Sequence, residues 1–339
     1  MKLKLIQVGL GAHGMGVGRD YVLPSHDFEY AGLVDINESQ LEACGELFNV
    51  PKNCRFNDYH KAFAQLDADA VLISTISPLH YEICREALLS GLHVLIEKPF
   101  VTEMNDALLL VEQAKTKNLR LMVSQNYRYL NNVVTLKKAI HDEKVGKPLY
   151  VKGDFYYDHY GKDYQCNMDN FMLLEMAVHH IDMMRFMFDS NIERVRGNTW
   201  NYLDSMYTGD DNVSAHYELE NGISIFYFGS LVSKGLATPW EGVWRIQCEQ
   251  GSLHLDDLGH GYGVYMVDAC GQVKKLEYFL PKETESINGI LGEFAAAIRE
   301  EREPQISGRD NLYTLAALFA TSDSSEVGKW KSIKDYLKN

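Results

Sequence analysis

A short apolar run, Leu3–Val8, passes directly into Gly9-Leu10-Gly11-Ala12-His13-Gly14. No other stretch restricts the fold as much. A G-x-G-x-x-G turn between a strand and a helix, with an acid about twenty residues further on, is the fingerprint of a βαβ dinucleotide-binding unit. The acid here is Asp35, which follows a second apolar run, Phe28–Val34. Gly9 permits the tight turn, Gly11 lets the backbone approach a pyrophosphate, and Gly14 lets helix and strand pack closely. The turn, His13 included, is the candidate cofactor cradle, because the helix N-terminus behind it offers free N–H groups to phosphate oxygens. Asp35 can accept hydrogen bonds from the adenosine ribose. Its carboxylate would repel a 2′-phosphate, and the following Ile36, Asn37, Glu38 and Ser39 supply no cation. These residues point to NAD in preference to NADP. Gly16 and Gly18 weaken the first helix.

The alternation continues. Asn37–Asn49 reads as a helix capped by Asn37, Ala70–Ser74 as a strand, Pro78–Ser90 as a helix stopped by Gly91, and His93–Ile96 as a strand. A helix over Thr102–Asn118 and a strand over Leu119–Ser124 close the series. Near-continuous apolar strands alternating with helices imply a doubly wound parallel sheet, an α/β Rossmann domain over residues 1–126. Beyond it the pattern changes. Helical segments near 131–143 and 168–188 give way to strands at 147–157, 192–202, 212–220, 223–231, 242–249, 252–256, 263–268 and 272–279. Asn221-Gly222 between two of them is a strong hairpin signal. Helices near 286–301 and 308–327 follow. Residues 127–339 therefore read as one α+β domain with a large, mainly antiparallel open sheet. Two domains also suit a chain of 339 residues, since single cores seldom grow past about 250–300.

Composition narrows the function. A net charge of -14 disfavours a phosphate backbone as partner, so no nucleic acid is expected. There is no run of 18 apolar residues, and none of the six cysteines forms a Cys-x-x-Cys pair. The start resembles a signal peptide only faintly, because its apolar run ends in the glycine turn. The expectation is a cytoplasmic protein with reduced thiols, no membrane partner and no metal.

Two segments carry candidate chemistry. Glu97-Lys98-Pro99 ends a buried strand, and the carboxyl ends of parallel strands are where such a sheet places ligands. The second is Phe171–Phe188, a helix apolar almost all round. Glu175, His179 and Asp182 within it are spaced to share one face. Ionisable groups on a buried helix mark a site, or else a satisfied ion-pair network, here with Arg185 as a partner. His180 points about 100° away and reads as a packing residue. The adjacent histidines cannot both reach one metal ion.

These segments together resemble the Gfo/Idh/MocA family of sugar and cyclitol oxidoreductases over nearly the whole chain. Ser74-Thr75-Ile76-Ser77-Pro78-Leu79-His80 is similar to the family's Thr…Pro…His segment, and Gly91 to Pro99 to its Glu-Lys-Pro stretch. Glu175-x-x-x-His179-x-x-Asp182 is similar to the Asp-x-x-x-His-x-x-Asp pattern of inositol dehydrogenase-like members. Trp240 to Ile246 resembles a C-terminal-domain segment of one subgroup. The resemblance implies that Ser74, Thr75, His80, Glu97 and Lys98 join Gly9, Gly11, His13, Gly14 and Asp35 around NAD. It implies that Lys98, beside a cis Lys98–Pro99 bond, positions the substrate hydroxyl and the nicotinamide. His179 would be the general base, and Asp182 would line the substrate site. Glu175 stands where the family more often has Asp, which puts its catalytic role in doubt. Arg128, Tyr156, Tyr157, His159 and Trp240 are candidate contacts for a polyol or sugar substrate, and a homodimer or homotetramer built on the open sheet face is implied.

The leading reading is an NAD-dependent dehydrogenase of a secondary hydroxyl on a sugar, cyclitol or derivative. An NAD-dependent glycosidase of the same fold and a dinucleotide-sensing regulator are the alternatives. A short-chain dehydrogenase is disfavoured: its Tyr-x-x-x-Lys occurs as Tyr278 to Lys282, interrupted by Pro281 and outside the first domain.

Overall fold

The computed structural model describes residues 1–161 and 163–338. The chain divides into two compact units. The first comprises Met1–Asn126 and Pro281–Leu312, the second Tyr127–Leu280 and Tyr313–Asn339.

In the first unit β1 (Leu3–Val8), α1 (Ala12–Val17), β2 (Phe28–Val34), α2 (Glu38–Leu47), β3 (Arg55–Phe56) and α3 (Tyr59–Gln65) come first. They are followed by β4 (Ala70–Ile73), α4 (His80–Leu89), β5 (His93–Ile96), α5 (Met104–Thr116) and β6 (Leu121–Val123). The strands form a parallel sheet in the order β3-β2-β1-β4-β5-β6. The order reverses beside β1, which opens a crevice at the carboxyl ends of β1 and β4. Strands β4 and β5 are buried almost throughout, which accounts for their unbroken apolar sequences. Helix α2 begins as its sequence indicates, the Gln40 amide donating to the Asn37 side chain. Helix α1 is short, and from Gly18 the chain runs through a five-residue π turn to Val22.

The second unit contains α6 (Asn131–His141), β7 (Pro148–Tyr156), α7 (Asp163–Cys166), a π turn over Leu173–Ala177, and α8 (Val178–Phe188). Then come β8 (Ile192–Trp200), β9 (Asn212–Leu219), β10 (Ser224–Ser230), β11 (Val243–Cys248), β12 (Gly251–Asp257), β13 (Tyr262–Asp268) and β14 (Val273–Leu276). With β15 (Lys331–Ser332) the strands order β14-β13-β12-β11-β7-β10-β9-β8-β15. Neighbours run antiparallel, except that β7 and β10 are parallel. The Asn221-Gly222 turn joins β9 to β10, with Gly222 at φ +88. Val151 and Phe155 of β7 and Ile225 and Tyr227 of β10 are buried beneath α8, itself buried almost all round. Tyr150, Lys152, Asp154 and Tyr156 alternate onto the opposite, more open face. No helix among the described residues is long and apolar enough to cross a membrane.

The expected domains differ from these units in one respect. Residues 281–312, read from sequence as part of 127–339, fold with the first unit. The reason is packing. Phe294 of α9 (Ile287–Arg299) is fully buried and stacks on Phe28, with ring centroids 6.0 Å apart. Arg299 pairs with Asp27 at 2.6 Å, and the Val123 amide donates to Ile306 O. Helix α10 (Gly308–Val327) gives its first turn to this unit. Phe294→Ala should therefore destabilise the first unit by about 3–5 kcal/mol. The check is the denaturation midpoint followed through a probe in β1–β6; an unshifted midpoint would detach this segment from the first core.

Candidate active site

The glycine turn is shaped by contacts that leave no room for side chains. Gly9 has φ +93, and a Cβ there would lie 2.6 Å from Ser74 O. A Cβ on Gly14 would lie 2.3 Å from Gly9 O and 2.7 Å from Ser74 Oγ. Ser74 Oγ in turn donates to Gly9 O at 2.7 Å, tying the end of β4 to the turn. A Cβ on Gly11, by contrast, would meet nothing within 4 Å. That combination, two crowded glycines and one open to a ligand, is what a pyrophosphate cradle at a helix start requires. Asp35 is placed at the same edge. Its Oδ2 accepts from the Leu10 amide at 2.7 Å and its Oδ1 from the Asn37 amide at 2.8 Å. Beneath the turn, the fully buried Gln7 donates to Gly14 O at 2.8 Å and accepts from the Tyr30 hydroxyl at 2.7 Å. Sequence reasoning passed over Gln7, although a lone amide inside an apolar strand was the available signal.

Beyond β5 the Lys98–Pro99 bond is cis. Glu97 is buried, with His13 Nε2 3.3 Å from its Oε1. Burial raises the Glu97 carboxyl, but His13, Lys98 and Ser124 outweigh it and hold the group below its ordinary range. Glu97 is thus an anion at this edge, and Lys98 stands partly exposed beside it. His80 differs from its expected role. It is fully buried, its Nδ1 2.8 Å from Pro99 O and its Nε2 3.2 Å from Thr75 O. With no exposed face, it pins the loops after β4 and β5 together rather than touching a ligand.

In the second unit, the helix of sequence 171–188 is interrupted. Glu175 lies inside the π turn that precedes α8. The spacing of Glu175 and His179 is thus set partly by π geometry rather than by a regular α-helix. Glu175 is half-buried. Tyr164 is pushed up to about 12, chiefly by burial and then by the Glu175 charge.

The adjacent histidines divide their tasks. His179 is 7% exposed and stacks on Tyr127, ring centroids 4.4 Å apart and planes 11° from parallel. His180 is wholly buried, Nε2 2.9 Å from Trp240 O and Nδ1 2.7 Å from the Tyr227 hydroxyl. A carbonyl only accepts, so Nε2 carries the proton and Nδ1 accepts from Tyr227. Burial lowers this imidazole to about 4, which keeps it neutral. His180 is the packing residue that the helix geometry indicates.

Asp182 and Arg128 are not where a substrate role would put them. Asp182 is fully buried and takes both arms of Arg128, Nε at 2.7 Å and Nη2 at 2.6 Å. Thr314 Oγ1 donates to Asp182 at 3.0 Å, and Arg185 lies 3.6 Å away while donating to Thr314 and Asn191. This is the satisfied ion-pair network that the sequence left open, and it consumes the carboxylate that was expected to bind hydroxyls. Thr314 carried no local signal, since it lies 132 residues from Asp182.

The remaining substrate candidates split across the sheet. Trp240, 45% exposed, stacks on Tyr157 at 4.3 Å and on Phe155 at 6.2 Å, on the face beneath α8. Tyr156 points to the other face. There, with His159, Tyr160, Tyr202, Tyr207 and Lys234, it lines an open cleft of about 750 Å³.

Two family models match the chain. Residues 3–125 match the oxidoreductase family NAD-binding Rossmann fold of GFO/IDH/MocA, and residues 133–254 match the GFO/IDH/MocA C-terminal domain. A D-apiose dehydrogenase of Paraburkholderia graminis is 26% identical over 90% of this chain and 83% of its own. The fold is similar to that of an Agrobacterium radiobacter oxidoreductase in complex with NAD+, L-tartaric acid and magnesium, with TM-score 0.87, 21% identity and 99% of each chain covered. An inositol dehydrogenase homologue of Azotobacter vinelandii, in complex with NADH and myo-inositol, gives TM-score 0.84 at 19% identity over 98% of each chain. The first unit is an NAD-binding domain, and the glycine turn with Asp35 fits that cofactor.

Removing one partner of a buried ion pair leaves the other charge uncompensated. Asp182→Asn should therefore lower stability by about 3–5 kcal/mol. Chemical denaturation checks this; a variant of unchanged stability and raised KM would return Asp182 to the substrate surface.

Proposed function

The chain belongs to the GFO/IDH/MocA oxidoreductase family, and on that premise we propose that it oxidises a secondary hydroxyl of a sugar or cyclitol with NAD as acceptor. One observation carries the reading. Lys98 leaves β5 at the edge of the sheet that holds the glycine turn, Ser74 and Asp35, so a cation for the substrate oxygen stands with the cofactor cradle. A sensor of dinucleotides has no need of it. The substrate class is supported by the D-apiose dehydrogenase relative and by the neighbour holding myo-inositol.

NAD supplies the hydride acceptor when bound. Lys98 binds the hydroxyl oxygen and favours its alkoxide character, while the Glu97 carboxylate, fixed by His13 and Ser124, balances the lysine charge. His179 takes the hydroxyl proton as general base. Tyr127 holds its ring plane. Asp182 acts through the helix, since its ion pair with Arg128 fixes the segment from which Tyr127 projects.

His179→Ala should bind NAD as the parent does and lose about 10²–10⁴ in kcat, the usual contribution of general-base catalysis. NADH formation across a panel of sugars and cyclitols measures kcat, and cofactor fluorescence measures binding; full turnover by the variant would end the assignment. Asp35 is the proposed discriminator against NADP. Asp35→Asn keeps an acceptor for the backbone but removes the charge. Its NADP/NAD ratio of kcat/KM should rise about tenfold, since roughly 1.4 kcal/mol of lost repulsion is one factor of ten. An unchanged ratio would place selectivity elsewhere.

A further inference from the structure

Among the described residues, the buried arginine side chains are paired with carboxylates, with one exception. Arg55 meets Glu42 at 2.9 Å and Glu46 at 2.8 Å, and Arg128 and Arg185 share Asp182. Arg120, just before β6, is 8% exposed and has no carboxylate partner among the described residues. Its Nη1 donates to the neutral Asn118 side chain at 3.3 Å, and its Nε is buried with no hydrogen-bond partner. A guanidinium carries five donors, and burying it without an anion is costly.

Arg120 lines a small cavity of about 150 Å³ together with Asn118, Lys115, Glu303, Gly308 and Arg309. Gly308 opens the twenty-residue helix α10, where Ser307 already takes the Asp310 amide on its Oγ and the Asn311 amide on its carbonyl, and the amides of Gly308 and Arg309 precede the first intrahelical bond. A Cβ on Gly308 would lie 2.9 Å from Leu121, so the helix start is drawn tightly against β6. Arg309 is exposed and likewise has no carboxylate partner among the described residues. Cations thus converge on a helix N-terminus in a chain of net charge -14. The cavity is smaller than the roughly 300–1,000 Å³ of organic-ligand pockets, so it admits an ion or one terminal group. It lies at the amino end of β6, whereas the glycine turn and Lys98 lie at carboxyl ends of the same parallel sheet.

We propose that Arg120, Arg309 and the first turn of α10 form a binding site for a phosphate-sized oxyanion, separate from the cofactor cradle. The anion balances the Arg120 charge, which has no carboxylate partner among the described residues, and the field of the helix end adds to the attraction.

The test titrates inorganic phosphate, and in parallel glycerol phosphate, into the full chain saturated with NAD, against chloride of equal ionic strength. Calorimetry reads affinity. The imidazole resonances of His93 read location, because the Arg120 amide donates to His93 Nδ1 at 2.9 Å. Saturable binding that moves His93 is expected. Arg309→Gln, an exposed change that spares the core, should weaken it about tenfold or more, the scale of one hydrogen bond to a charged group. Glu303→Gln, which removes an acid from the lining, should strengthen it. Tight binding of both ligands identifies a terminal phosphate as the occupant, and binding of inorganic phosphate alone identifies the free ion. No saturable binding above chloride, or binding unchanged in both variants, overturns the proposal.

Discussion

The carboxylate of Asp182 is the constraint on which the second unit turns. It is fully buried on a helix that is apolar almost all round, and it is met by Arg128, 54 residues away, and Thr314, 132 residues away. The two arms of one bidentate guanidinium and a hydroxyl offset the desolvation of the charge. Because Asp182 and those two partners come from three separate stretches of chain, forming the network fixes α8, α10 and the segment after β6 at once. Tyr127 adjoins Arg128, and the Tyr127 ring sets the plane of His179. The candidate base is therefore held indirectly by a buried ion pair.

The first unit was legible because its function is written in backbone geometry. A glycine at φ +93, a glycine against a carbonyl and an acid at a strand end can be satisfied by few residue types, so the sequence announces them. Strands β4 and β5 read well because they are buried on both faces. Even the helix cap at Asn37 is a local matter. The second unit was legible in its elements but not in its assembly. The spacing of Glu175, His179 and Asp182 assumes an unbroken α-helix, and the π turn that contains Glu175 is not visible in it. Spacing also cannot separate a carboxylate facing a ligand from one facing Arg128. Nor can it separate Tyr156 from Trp240, which a strand's alternation sends to opposite faces. The return of residues 281–312 to the first unit is hidden for the same reason: Phe294 looks like any buried aromatic until Phe28 is seen against it.

The paired histidines show how neighbouring identical residues acquire different chemistry. His180 is committed at both nitrogens and lowered to about 4 by burial, so it stays neutral while the pH falls through the ordinary histidine range. Between pH 6.5 and about 4 the unfolded chain takes up a proton there that the folded chain refuses, so this residue makes the fold less stable as pH falls across that window. His179, one step round the helix, stacks on an aromatic ring instead. The fold thus spends one histidine on architecture, and the other is the proposed general base.

The lone parallel pairing in the nine-stranded sheet has a consequence for how the molecule is made. Strand β7 ends at Tyr156, yet its two neighbours begin only at Ser224 and Val243. During synthesis, β8, β9 and β10 can zip into a local meander while β7 waits with both edges unpaired. The centre of the sheet is therefore enclosed only once β11 has been made, and closing it requires long loops that slow the search. Until β11 emerges from the ribosome, the nascent chain carries an open, strand-forming segment that a chaperone, or a second nascent copy, can engage.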